Sequence, residues 1–143
     1  MAVKQISVFL ENKFGSVEEL TGLLAHNNIG MRALSLAETK EFGIVRLIVD
    51  DVYEATTVLK DADFIHSITP VIAVTIEDKV GALHEVLEVL AKERINVEYM
   101  YSTMGGPTKN SAYIIFRVDD IEKAEAVLKK SGFKLTDQDA IGV

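Results

Sequence analysis

The sequence predicts an α+β protein made of two tandem ferredoxin-like units, each ordered strand-helix-strand-strand-helix-strand (βαββαβ) around an antiparallel sheet. Two observations carry this. A turn-forming junction between an apolar strand and a helix occurs twice, and a nearly constant offset aligns the chemistry of the two halves. The first junction is Asn12-Lys13-Phe14-Gly15-Ser16, and Asp78-Lys79-Val80-Gly81-Ala82 repeats it 66 residues later.

Taking the elements in order, Ile6, Val8 and Leu10 recur at every second position and predict a strand. Ser16 and Glu19 have the spacing of a capping box, so a helix is expected to open at Ser16. Val17, Leu20, Leu23 and Leu24 then recur at helical spacing, and Asn27-Asn28 ends the run. A second strand is expected from about Met31 to Ala37, a turn at Thr39-Lys40-Glu41, and a third strand from about Phe42 to Val49. Asp50-Asp51 can cap a helix whose apolar positions are Val52, Ala55, Val58, Leu59 and Ala62. A short fourth strand, Phe64 to Ile68, completes the first unit, and Pro70 marks the boundary, giving domains 1–69 and 70–143.

The pattern then restarts. Ile72, Val74 and Ile76 match Ile6, Val8 and Leu10, and Glu77, Lys79, Gly81, Glu85, Leu90 and Ile95 are identical to their counterparts. Beyond the second strand the offset becomes 69, the difference falling in the longer hairpin around Gly105-Gly106-Pro107. Asp119-Asp120, Ala124, Val127-Leu128 and Phe133 repeat Asp50-Asp51, Ala55, Val58-Leu59 and Phe64. An offset with matching chemistry means an internal duplication, and the six-element order is the ferredoxin-like one. Each unit is small for a self-sufficient core. The second face of each sheet, with Ile44, Arg46 and Ile48 in the first copy, is too apolar for open water, so it is expected to be covered by the sister copy or a second chain. A homodimer is therefore expected.

Composition narrows the function. At 48% apolar and 26% charged residues the chain can bury a core. Its net charge of −7 argues against nucleic acid or an anionic membrane as the main partner. There is no cysteine, hence no disulfide, thiolate metal site or cysteine nucleophile, which fits a reducing, cytoplasmic setting. The start, Met1-Ala2-Val3-Lys4-Gln5, lacks the apolar run of a signal peptide, and no run approaches the roughly 20 residues of a membrane span.

The paired loops, the duplication and the element order together resemble the ACT domain, a family that binds amino acids and other small ligands to regulate metabolism. The resemblance extends from about Val3 to Asp137 in two copies. It rests on Asn12-Lys13-Phe14-Gly15 with Ile29-Gly30-Met31, and on Asp78-Lys79-Val80-Gly81 with Ile95-Asn96-Val97. The family's proline before the loop glycine is replaced by Phe14 and Val80, and Gly30 stands where Asn96 stands in the second copy. The resemblance implies a ligand site made from Asn12, Phe14, Gly15, Ser16 and Val17, with Asp78, Val80, Gly81 and Asn96 forming a second or contributing site. In such a site, helix amides around Gly15, Ser16 and Val17 would take a carboxylate. The Asn12 amide oxygen or the Asp78 carboxylate would take an ammonium, and Phe14 and Val80 would form apolar walls.

No catalytic residue, cofactor or metal site is expected. His26, His66 and His84 have no metal-ligand spacing, and Gly105-Gly106-Pro107 lacks the ending of a phosphate loop. Tyr113-Ile114-Ile115-Phe116 has no basic-aromatic companion that would suggest RNA binding. The leading expectation is a non-catalytic amino-acid sensor that acts on a metabolic enzyme or regulator. A regulatory subunit of an amino-acid biosynthetic enzyme, such as acetolactate synthase, is the close alternative. An acylphosphatase-like enzyme would want an arginine in the first loop, where this chain has Lys13. A structural adaptor with vacant loops is the third class.

Overall fold

Period-two apolar runs become strands, and the stripes that follow them become helices, in the order the repeat requires. The computed structural model describes residues 2–141. Its elements are β1 (Val3–Glu11), α1 (Ser16–His26), β2 (Met31–Glu38), β3 (Phe42–Val49), α2 (Val52–Asp61), β4 (Ile65–Glu77), α3 (Ala82–Lys92), β5 (Val97–Ser102), β6 (Ser111–Val118), α4 (Ile121–Lys130), β7 (Leu135–Thr136) and α5 (Gln138–Ile141). The described residues divide into two compact units, Lys4–Thr69 and residues 2–3 with Pro70–Ile141.

In the first unit the strand order is β2-β3-β1-β4. The register pairs Ile6 with Leu47 and Val8 with Val45, while Leu34 and Leu36 lie opposite Leu47 and Val45. These residues share one face, and α1 and α2 lie on it through Leu20, Leu24, Ala55, Val58 and Leu59. In the second unit β7, β4, β6 and β5 are neighbours in that order, with Ile72 opposite Phe116 and Val74 opposite both Ile114 and Leu135. Val86 and Leu90 of α3 and Ala124 and Leu128 of α4 complete that core. The two units are thus the same antiparallel ferredoxin-like arrangement, down to a bulge at Met31/Ala33 that recurs at Val97/Tyr99.

Three details differ from the sequence expectation. The fourth strand does not stop before Pro70; β4 runs through it for 13 residues. Proline already has an extended-compatible φ and lacks only an N–H. The Pro70 carbonyl accepts a hydrogen bond from Arg117 at 2.8 Å. Second, the described residues end in a short helix, α5, which the duplication does not announce; the two-residue β7 before it stands where the second unit's fourth strand was expected. Third, Ser16 does not cap α1. Gly15 is the N-cap residue, at φ 85°, with no side-chain cap bond, and the Glu19 amide donates to the Gly15 carbonyl instead. Ser16 is therefore the first helical residue, one position too late to cap. Asp51 and Asp120 do cap α2 and α4, accepting from the amides of Glu54 and Lys123 at 3.0 and 3.1 Å.

All four long helices close in the same way. The residue after each C-cap has a left-handed backbone: Asn28, Asp63, Arg94 and Gly132, at φ 55°, 62°, 58° and 90°. The next amide reaches back to a carbonyl five residues earlier, as from Ile29 to Leu24 and from Ile95 to Leu90. This is the Schellman closure.

Candidate functional site

The β1–α1 loop is held on three sides. The Asn12 amide donates to the Glu41 carbonyl at 3.1 Å, and the Ser16 amide to Lys13 at 3.3 Å. The Asn12 side-chain amide donates to Glu38 Oε2 at 3.3 Å and to the Thr39 carbonyl at 3.1 Å. The loop is thereby tied to the β2–β3 hairpin, and Asn12 Oδ1 has no partner among the described residues. Gly15 supplies the left-handed turn that starts the helix, and a methyl group there would meet nothing within 4 Å. The glycine is required by its φ, not by crowding.

Asn12, Ser16 and Val17 come together on the wall of a cavity of about 300 Å³, with Leu10, Leu36 and Glu38 opposite or beside them. Its rim adds Glu11 and Lys13, whose ion pair measures 3.3 Å. Gly43, opposite Glu38 in the β2–β3 ladder, also lines it. A side chain there would come within 3.1 Å of Leu36 Cδ1. Its absence leaves the floor open.

Ser16 is only 7% exposed, lines this cavity, and its hydroxyl has no hydrogen-bond partner among the described residues. The Val17 and Glu18 amides, in the first turn of α1, likewise have none. A partly buried hydroxyl and two open amides at the positive end of a helix form an anion-receptive corner.

Other expected site residues fall elsewhere. Phe14 and Val80 are fully exposed at their loop tips and line none of the cavities described here; the apolar walls of this cavity are Leu10, Val17 and Leu36. Gly81 repeats the Gly15 geometry at φ 87°. Asp78 is held through its amide, which donates to Asn110 at 2.8 Å, and its exposed side chain lines none of the cavities described here. Asn96 follows the far end of α3, about 16 Å of helix from Gly81 at 1.5 Å per residue. Within this unit the two do not meet. Its backbone is clasped by Asp119: the Asn96 amide donates to Asp119 Oδ1 at 3.0 Å and the Asp119 amide to the Asn96 carbonyl at 3.2 Å. Gly30 and Asp50 form the same clasp in the first unit. The three histidines make local contacts: His26 with the Gly22 carbonyl, His66 with that of Phe64, and His84 with the Glu88 carboxylate.

A second pair of clefts lies at each helix start, against the segment after α2 or α4. In the first unit it measures about 240 Å³ and is lined by Phe9, Ser16, Glu19, Asp63 and Phe64 among others. In the second it measures about 280 Å³, with Thr75, Ala82, Glu85, Gly132 and Phe133 in the corresponding places. The duplication extends to these clefts, but Ala82 stands where Ser16 carries its hydroxyl.

Sequence reasoning found the loop and missed its opposite wall. Leu36, Glu38 and Gly43 come from the hairpin, and only the pairing of β3 with both β1 and β2 brings them beside Asn12.

Comparison with known proteins places this architecture. The profile of the ACT domain pair matches residues 1–141. A crystal structure of a Bacteroides thetaiotaomicron protein is 39% identical with a TM-score of 0.91, covering 99% of this chain and 96% of that one. The ligand-free regulatory subunit of aspartate kinase from Thermus thermophilus shares the fold at 16% identity and TM-score 0.65, covering 90% of this chain and 89% of that one. The corresponding subunit from Thermus flavus does so at 17% and 0.62, covering 88% of each chain. No curated protein sequence matches. With a family profile spanning nearly its whole length and a close structural relative over the same span, the chain belongs to the ACT family as a tandem pair of domains.

Proposed function

We propose that this protein is a non-catalytic regulator that senses a free α-amino acid and passes its occupancy to a metabolic enzyme or regulator in the cytoplasm. One observation carries the reading: the first-copy cavity is lined by Ser16, a largely buried residue whose hydroxyl is unpartnered among the described residues, at the open amide end of α1, together with the fixed Asn12–Glu38 pair. The corner suits a carboxylate and the pair suits an ammonium, the two groups every free amino acid carries. The fold shared with regulatory subunits of aspartate kinase supports a role as a regulatory subunit acting on a separate catalytic chain. Asp78 to Gly81 would form a second or contributing loop, with Asn96 as a further contact.

A homodimer fits this role. β2 is the edge strand of its unit, and Leu34 and Leu36 on it are 42% and 56% exposed. An open edge with exposed leucines is suited to pairing with another chain. A ligand bound beside that edge would shift assembly if one assembly state binds it better than the other.

A thermal-shift screen of the full chain against the twenty common amino acids tests the reading. Ligand at about 100 times its Kd stabilises the bound fold by about 2.7 kcal/mol, a readily measured shift. Absence of a shift with every amino acid, confirmed by calorimetry, would refute it.

A further inference from the structure

The polar groups of the first-copy cavity are few, and their pairing restricts what a ligand side chain can carry. We infer that this cavity selects amino acids with an uncharged, apolar side chain over acidic and basic ones; the inference rests on the amino-acid reading above and specifies its ligand class.

The α-carboxylate takes the Ser16 hydroxyl and the open amides of Val17 and Glu18. The α-ammonium takes Glu38 and Asn12 Oδ1, since the Asn12 amide nitrogen is already spent on Glu38 and Thr39. Lys13 is the one cation among the lining residues, and it is paired with Glu11 at 3.3 Å. A second carboxylate on the ligand therefore meets two carboxylates, Glu11 and Glu38, and no unbalanced cation. A second ammonium must either displace Lys13 from Glu11 or lie on apolar wall. What remains for the side chain is Leu10, Val17, Leu36 and the bare backbone of Gly43, which an apolar group covers without leaving a charge unpaired.

Isothermal titration of the full chain with L-leucine, L-methionine, L-phenylalanine, L-aspartate and L-lysine tests this, with 4-methylpentanoate as leucine lacking its ammonium. At least one apolar amino acid should bind roughly tenfold or more tighter than aspartate and lysine, and 4-methylpentanoate roughly tenfold or more weaker than leucine, as expected for a lost charge-assisted hydrogen bond. Glu38→Gln should weaken the apolar amino acid and narrow its advantage over the des-amino acid. A merely structural role for Glu38 would weaken both alike. Aspartate or lysine binding as tightly as every apolar amino acid overturns the ligand class while leaving the amino-acid site in place, and so does an unchanged leucine to 4-methylpentanoate ratio in Glu38→Gln. If none of the five amino acids binds, the apolar ligand class falls, while the amino-acid reading is decided separately by the screen of all twenty.

Discussion

The same substitution, glycine to alanine, should have opposite signs at Gly15 and Gly22, at the N-cap and in the middle of α1. Gly22 lies inside the helix, and a methyl group there would meet nothing within 4 Å. Alanine is favoured over glycine in a helix interior by about 0.8–1.0 kcal/mol, so Gly22→Ala should stabilise by about that amount. Gly15 also has open space, but its φ of 85° is left-handed. An L-residue there costs about 1–2 kcal/mol, so Gly15→Ala should destabilise by that amount with no steric clash involved. Gly15→Asn should cost less, because asparagine tolerates this region. Urea unfolding of the full chain measures each change, and the midpoint should move in opposite directions at constant slope. For a cooperative chain of this size the melting temperature should move by roughly 2–4 °C per kcal/mol. A neutral or stabilising Gly15→Ala would show that the loop can relax to a negative φ. The fixed geometry assigned to the amides of Val17 and Glu18 would then be wrong.

Arg94, after the C-cap of α3, holds a left-handed backbone at φ 58° where the equivalent closure of α4 uses Gly132; Arg94→Gly should stabilise by about 1 kcal/mol in the same unfolding assay, and a loss of stability would refute the closure argument. Asp120→Ala removes the cap on the Lys123 amide and should cost about 1 kcal/mol, whereas Asp120→Asn, which keeps an acceptor oxygen, should cost markedly less. Light scattering over a concentration series should show a dimer for the natural chain and a shift toward monomer for Leu34→Lys, since a charge on an edge strand opposes pairing; a monomer at tens of micromolar, roughly where a micromolar Kd would still hold a dimer together, rules the dimer out.

The duplication made most of the fold legible. Once Ile6, Val8 and Leu10 are matched to Ile72, Val74 and Ile76, each element is read twice, and the Asp-Asp caps before α2 and α4 confirm one another. The failures are local. Ser16 has the spacing of a cap, but capping depends on the backbone of the residue in that position, and Gly15 already occupies it. Phe14, in the motif where a wall was expected, stands fully exposed at the loop tip of the single chain. The candidate site was half visible. Asn12, Ser16 and Val17 are contiguous enough to be seen in the sequence, whereas Leu36, Glu38 and Gly43 reach the cavity through strand register, which local patterns do not display.

The clasps between Gly30 and Asp50 and between Asn96 and Asp119 close the open ends of the two β-hairpins, across 20 and 23 residues. The entropy of closing a flexible loop grows only with the logarithm of its length, so the three extra residues of the second hairpin cost about 0.1 kcal/mol. The tip is packed rather than loose: a side chain at Gly106 would come within 2.5 Å of the Ser111 backbone, and the Asn110 carbonyl accepts from the Asp78 amide at 2.8 Å. The length gained by the second hairpin is thus taken up in a packed turn, while the clasp at its base keeps the strands beneath in register.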